Sequence, residues 1–222
     1  MFNLRNILFP TIGLSLISIG SCILPSQAQA LINFTNEYDF STTSAPVPEK
    51  GLIVGPGEGI SKSAGFGLTK FTSLVYSSLA DALAGTQTGA PFIFDSNPQT
   101  FGKNEPQGGI TFIGEGNDKL FGTLKGTNTV NPSTLTTTVS GDIIINGGEG
   151  RFKSASGIGT VLANFSLDFN KPVNTGKALI NLSFDAPKSI PENTSLVGIS
   201  VAALGASLMF KKKHSRTKVE VE

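Results

Sequence analysis

From residue 109 to residue 184, apolar and polar side chains alternate with a period of two, and glycine-rich turns break the alternation about every eight to twelve residues. Only strands alternate this way, because successive side chains of an extended chain point to opposite faces. Residues 110–113 and 119–124 flank a turn at 114–118, which predicts a hairpin. Over 134–145, Leu135, Thr137 and Val139 alternate with polar neighbours. Over 157–169, Ile158, Val161, Ala163, Phe165, Leu167 and Phe169 fall mostly on one parity, and over 177–184 Ala178, Ile180, Leu182 and Phe184 share a face. Upstream the pattern is weaker. Residues 31–40 read as a strand and 91–94 as a short one, whereas 44–59, with Pro46, Pro48, Pro56 and several glycines, read as a long loop. Residues 65–69 alternate like a strand, while Phe71, Leu74, Val75, Leu79 and Leu83 have helical spacing. The β surroundings favour a strand ending near Tyr76. The expectation is one all-β domain over 31–189, a single antiparallel β-barrel, with a β-sandwich as the alternative.

One motif narrows the choice. The run Ile145-Asn146-Gly147-Gly148-Glu149-Gly150-Arg151-Phe152-Lys153-Ser154-Ala155-Ser156-Gly157 resembles the glycine-rich Gly-Gly-x-Gly-x-Phe…Gly element of dirigent proteins and allene oxide cyclases. The resemblance covers residues 110–185 and implies that the motif links two long strands of a small closed barrel. Clustered glycines permit positive φ and close strand crossing, and Phe152 is placed to enter the core.

The absences exclude several chemistries. The only cysteine is Cys22 and the only histidine is His214, both outside 31–189. That domain has no thiol nucleophile, no Cys/His zinc set and no Ser-His-Asp triad. Its eleven basic residues are scattered singly against thirteen acidic ones, so no nucleic-acid partner is expected. Catalysis would fall to acids such as Asp142, Glu149, Glu115 and Asp118, but nothing in their spacing makes them converge, and they read as solvated turn residues. Arg151 reads as a surface charge or a strand-end clamp. Residues 114–120 have the outline of one calcium-binding repeat, yet one copy supplies too few oxygens and Ile113 replaces its first glycine, so a hairpin turn is preferred. No catalytic, cofactor-binding or metal-ligating residue is expected.

Both ends carry processing signals. Residues 1–30 have Arg5, an apolar run over 7–19 and Ala28-Gln29-Ala30, the layout of a signal helix cleaved by signal peptidase after Ala30. The competing reading is a lipoprotein acylated at Cys22. Residues 196–210 are uncharged and end at Lys211, Lys212 and Lys213. As a helix they span ~22 Å, short of the about 30 Å bilayer core, so the lysines would have to snorkel. With Pro191-Glu192 before it, the segment 190–216 resembles the PEP-CTERM sorting signal of exported bacterial proteins, with Asn193 in place of the second proline. That resemblance implies recognition by a membrane-embedded exosortase acting near Pro191-Glu192, with 217–222 as a polar tail. The pairing of domain and tail is similar to that of exported cyanobacterial proteins.

These features predict an exported, sorted protein of the cell envelope or extracellular matrix with a non-enzymatic structural or interaction role. A barrel that binds a small apolar ligand is the alternative, and a carboxylate-based glycosidase or cyclase the second alternative. The interior discriminates: bulky inward side chains fill a barrel, whereas small ones leave a cavity.

Overall fold

The computed structural model describes residues 29–168 and 170–187. Ten strands occur in the order β1 (Gln29–Thr42), β2 (Ala45–Val47), β3 (Leu52–Ile60), β4 (Lys70–Ser78), β5 (Phe92–Asp95), β6 (Gly109–Ile113), β7 (Lys119–Asn131), β8 (Thr136–Glu149), β9 (Ser156–Ser166) and β10 (Asn174–Pro187). One α-helix, α1 (Leu79–Thr88), lies between β4 and β5. The strands close into an eight-stranded antiparallel barrel. Ten strands fill eight places because two places are each built from two pieces. β2 continues the register of β1 along β3, with a break at Thr43 and Ser44. β5 and β6 both lie between β4 and β7, separated by an excursion over 96–108. The excursion is pinched at its base by Gly108 N–H donating to the Ser96 carbonyl at 2.8 Å.

The expected strands at 31–40, 110–113, 119–124, 134–145, 157–169 and 177–184 are found, most with longer bounds. The motif at 145–157 joins β8 to β9, the two long strands the resemblance implied. Gly150 there takes φ of 62°, and Phe152 enters the core 2 % exposed. A side chain at Gly157 would collide with Phe184, so the glycine is needed for strand approach.

Three expectations are corrected. Residues 44–59 are not a loop: β3 sits in the wall between β1 and β4, and its glycines admit neighbouring rings. The Phe71 ring lies against Gly59, where a Cβ would stand. Pro56, which has no N–H to donate, falls opposite the break in the β1–β2 line and accepts from Thr43 N–H instead. Residues 65–69 are not a strand: Gly65–Gly67 form a 3₁₀ turn with Phe66 at φ 57°, and β4 begins only at Lys70. The strand expected to end near Tyr76 is found as β4, but the all-β expectation did not include the helix α1 that follows it, capped by the Ser78 hydroxyl accepting from Asp81 N–H at 3.3 Å.

The barrel has two unlike ends. At one, the loop 61–69, the β6–β7 hairpin and the turn 150–155 cover the opening, and an aromatic cluster fills the interior beneath them. Tyr38 and Phe71 meet edge to face at 5.0 Å, and Phe152 meets Phe184 at 5.9 Å. The Tyr38 hydroxyl donates to the Leu68 carbonyl at 2.6 Å, and burial pushes its phenol pKa up. Gln29 and Pro187 pair at this closed end, so both ends of the described chain leave the barrel there. The other end is flanked by α1 and the segment 167–174.

Candidate functional site

The strand periodicity that makes the wall also decides what faces the lumen. In the closed half, inward positions carry Phe34, Tyr38, Phe112, Leu120, Phe152 and Phe184, all at most 3 % exposed. In the open half they carry Gly55, Gly57, Ser73, Ala163 and Ala178. Gly55, Ala163 and Ala178 leave part of this level unfilled, while the Phe40 ring takes the place of a side chain at Gly57. The result is an inner cavity of about 90 Å³, walled also by Phe40, Phe94, Leu124, Val139 and Phe165. Outward of it lies a cavity of about 410 Å³ at the mouth, between α1 (Leu79, Ala82, Leu83, Thr86) and the segment 167–174. Ser44, Gly55, Val75, Asn128 and Phe165 line both, so the two spaces adjoin at these residues. The mouth cavity falls within the ~300–1,000 Å³ range of small-molecule sites.

The electrostatics of this space are simple. Among the described residues, no ionisable side chain lines the inner cavity. At the mouth, Asp168 and Lys171 pair at 3.0 Å, and the lysine, with hydrogen bonding from Asn170, holds the Asp168 carboxyl below its ordinary pKa. The other polar side chains around these spaces are hydroxyls and the amides of Asn128 and Asn174. Thr42 Oγ1 donates to the Pro56 carbonyl at 2.8 Å and lies 3.2 Å from Ser44 Oγ. Thr137, 3 % exposed, has a hydroxyl with no hydrogen-bond partner among the described residues.

The other residues singled out in the sequence lie elsewhere. The hairpin reading of 114–118 holds: Gly114 N–H donates to the Asp118 carbonyl at 2.8 Å. Asp118 and Arg151 meet through Arg151 Nε at 2.6 Å, and the Arg151 backbone N–H donates to the same carboxylate at 2.8 Å. A second guanidinium nitrogen reaches the Phe66 carbonyl at 3.0 Å, so Arg151 clamps three loops at the closed end. The backbone donation, with the guanidinium, holds the Asp118 carboxyl below the usual range. Glu149 pairs with Lys119 at 2.9 Å, and Asp142 stands on the outer face of β8. No group of three metal-ligating side chains occurs among the described residues. Ala30 lies within β1 opposite Ala186. Cys22, Ala28, Pro191, Glu192, Lys211, Lys212, Lys213 and His214, together with the segments expected to be signal and membrane helices, lie outside the described residues. No helix among the described residues is long and apolar enough to cross a membrane.

Sequence reasoning missed the mouth because it missed α1. The signal was present as Ser78-Leu79-Ala80-Asp81, a capping residue followed by an acid three positions on, with Leu79, Ala82, Leu83 and Thr86 at helical spacing. By fold and cavity, the described chain is a half-filled antiparallel β-barrel with one open, apolar end. No protein-family model, no curated protein and no solved structure matches it.

Proposed function

We propose that this chain is an exported cell-envelope protein whose barrel takes up a small, largely apolar molecule through its open end and performs no chemistry on it. The observation that carries the reading is the unfilled space in the open half, where Gly55, Ser73, Ala163 and Ala178 stand among Phe40, Phe71, Phe94 and Phe165, against the close packing of Tyr38, Phe112, Phe152 and Phe184 in the closed half. A core evolved only for stability would fill that level as it fills the one below, because unfilled volume costs about 24 cal/mol per Å³. A glycosidase or cyclase draws no support from the acids, since Asp118 and Glu149 are each paired with a cation and no acid lines the inner cavity.

Export and sorting complete the proposal and rest on the sequence: signal peptidase acting after Ala30, and an exosortase-type enzyme recognising Pro191 and Glu192 while 196–210 engages the membrane up to Lys211, Lys212 and Lys213. Cleavage after Ala30 is compatible with the barrel, because the β1–β10 ladder continues from Leu31 and Asp185 onward. Attachment through the C-terminal segment would tether the barrel by its closed end and leave the mouth accessible. Native mass spectrometry of the protein purified from its own cell tests both parts. The proposal expects one neutral small molecule per chain, released on unfolding, and a mature chain starting at Leu31. A barrel that is always empty, or a chain starting at acylated Cys22, would count against the respective part.

A second reading, a structural or interaction role in the envelope matrix, is favoured by one observation. On the outer face, Ile144 pairs across strands with Ile158, and Leu162 with Leu179, and all four are exposed. Ile158→Lys would weaken association with envelope material if that face is the working surface, and would leave it unchanged if the lumen is.

A further inference from the structure

We infer that the ligand is an uncharged molecule with an apolar body and a single hydrogen-bonding head, an alcohol, ketone, ester or amide, held at the mouth by Thr137. This rests on the lumen-binding reading above and adds the chemistry of the ligand and its orientation.

Thr137 points inward from β8, and its cross-strand partners are Val130 on β7 and Phe165 on β9. Neither side chain has a polar atom, so the wall itself supplies nothing to the buried hydroxyl. Buried polar side chains in folded proteins are mostly paired, and one left without a protein partner calls for an explanation, of which a bound molecule is one. Thr137 lines the mouth cavity, not the inner one. The hydroxyl oxygen itself is buried in the wall, and it meets an occupant by a χ1 rotation to another staggered position, which a threonine populates more readily than valine or isoleucine. Asn128 projects from β7 one inward position deeper, diagonal to Thr137, and adds amide donors and an acceptor to the same wall. The head therefore sits at the level of Thr137 and the apolar body points down past Val75 toward Ala163 and Ala178, where the inner cavity is walled by carbon.

Charge decides the class of head. An ionised group at Thr137 would lose its hydration without gaining a counter-ion, since among the described residues the inner cavity has no ionisable side chain and the charges lining the mouth, Asp168 and Lys171, already pair with each other. Fatty acids and amines are thus disfavoured against neutral molecules of the same length.

Equilibrium dialysis of the purified full-length chain against octan-1-ol and, separately, octanoate at pH 8 tests this, with circular dichroism confirming that each variant is folded. The wild type should bind octan-1-ol at least about tenfold more tightly than octanoate. Thr137→Val, which keeps the shape and removes the hydroxyl, should weaken octan-1-ol about fivefold and leave octanoate unchanged. Val75→Phe, which blocks the junction of the two spaces, should abolish binding of both, and Ala178→Leu, filling the inner cavity, serves if that variant does not fold. Octanoate binding as tightly as octanol, or Thr137→Val without effect while the blocking variant abolishes binding, would overturn the head-group assignment and leave lumen binding standing. No binding by the wild type, or binding untouched by the blocking variants, would overturn the lumen reading itself.

Discussion

Asp118 joins three loops through one carboxylate. It accepts from the backbone and the guanidinium of Arg151, and Arg151 in turn holds the Phe66 carbonyl. Its carboxyl is held below the ordinary range, so the folded state binds its proton more weakly than the unfolded chain does. The associated stability is fully present above the unfolded value of about 4 and is lost as pH falls through the lower folded value. Asp118→Asn should lower unfolding stability by about 1–2 kcal/mol at neutral pH, with the exposed guanidinium limiting the effect. Urea titrations at pH 7 and pH 3 check this: the difference between the two proteins should shrink at pH 3, and an unchanged difference would show that the carboxylate charge is not what matters. In the sequence Asp118 and Arg151 stand 33 positions apart. The clamp role of Arg151 was one of two open readings, but its partner was not legible, because pairing depends on register between β7 and β8.

Among the elements, legibility followed the side chains that face inward. β6 to β10 alternate visibly because their inward residues include Phe112, Leu120, Ile143, Ile180 and Phe184, which stand out against polar outward neighbours. β3 has the same geometry and reads as a loop, because inward Gly55, Gly57 and Gly59 give no apolar signal. Their role appears only when the strand is placed beside Phe40 and Phe71, whose rings occupy the space a side chain would take. Gly59→Val should therefore cost about 1–3 kcal/mol through overpacking, read as a lower midpoint in urea. A neutral result would mean that the Phe71 ring can move aside. α1 was hidden for another reason: one short helix in a β context lost to the surrounding pattern. Ser78→Ala should remove its cap and cost about 1 kcal/mol, with hydrogen exchange accelerating in α1 and unchanged in the barrel wall.

At the scale of the molecule, closure was anticipated from the glycine motif and strand spacing, whereas the cavity could not be. Whether small inward residues collect at one level depends on which strands are neighbours and in which register, and the sequence alone does not state either. The β1–β10 ladder brings Gln29 beside Pro187, which makes the described barrel nearly cyclic. A permuted chain with a short glycine linker from Pro187 to Gln29 and new ends within 132–135 should keep the same strand content by circular dichroism, since antiparallel neighbours join through short turns. Loss of the β spectrum would argue against the pairing that closes the barrel.

The central claim is that the open half of the lumen is a binding site, and its most direct test is a titration of the isotope-labelled full-length chain with octan-1-ol, followed by backbone amide resonances. Saturable shifts should centre on Gly55, Val75, Asn128, Thr137 and Ala163, and residues packed in the closed half, such as Phe112 and Leu120, should stay in place. Shifts that never saturate, or that gather on the outer face at Ile144 and Ile158, would contradict it.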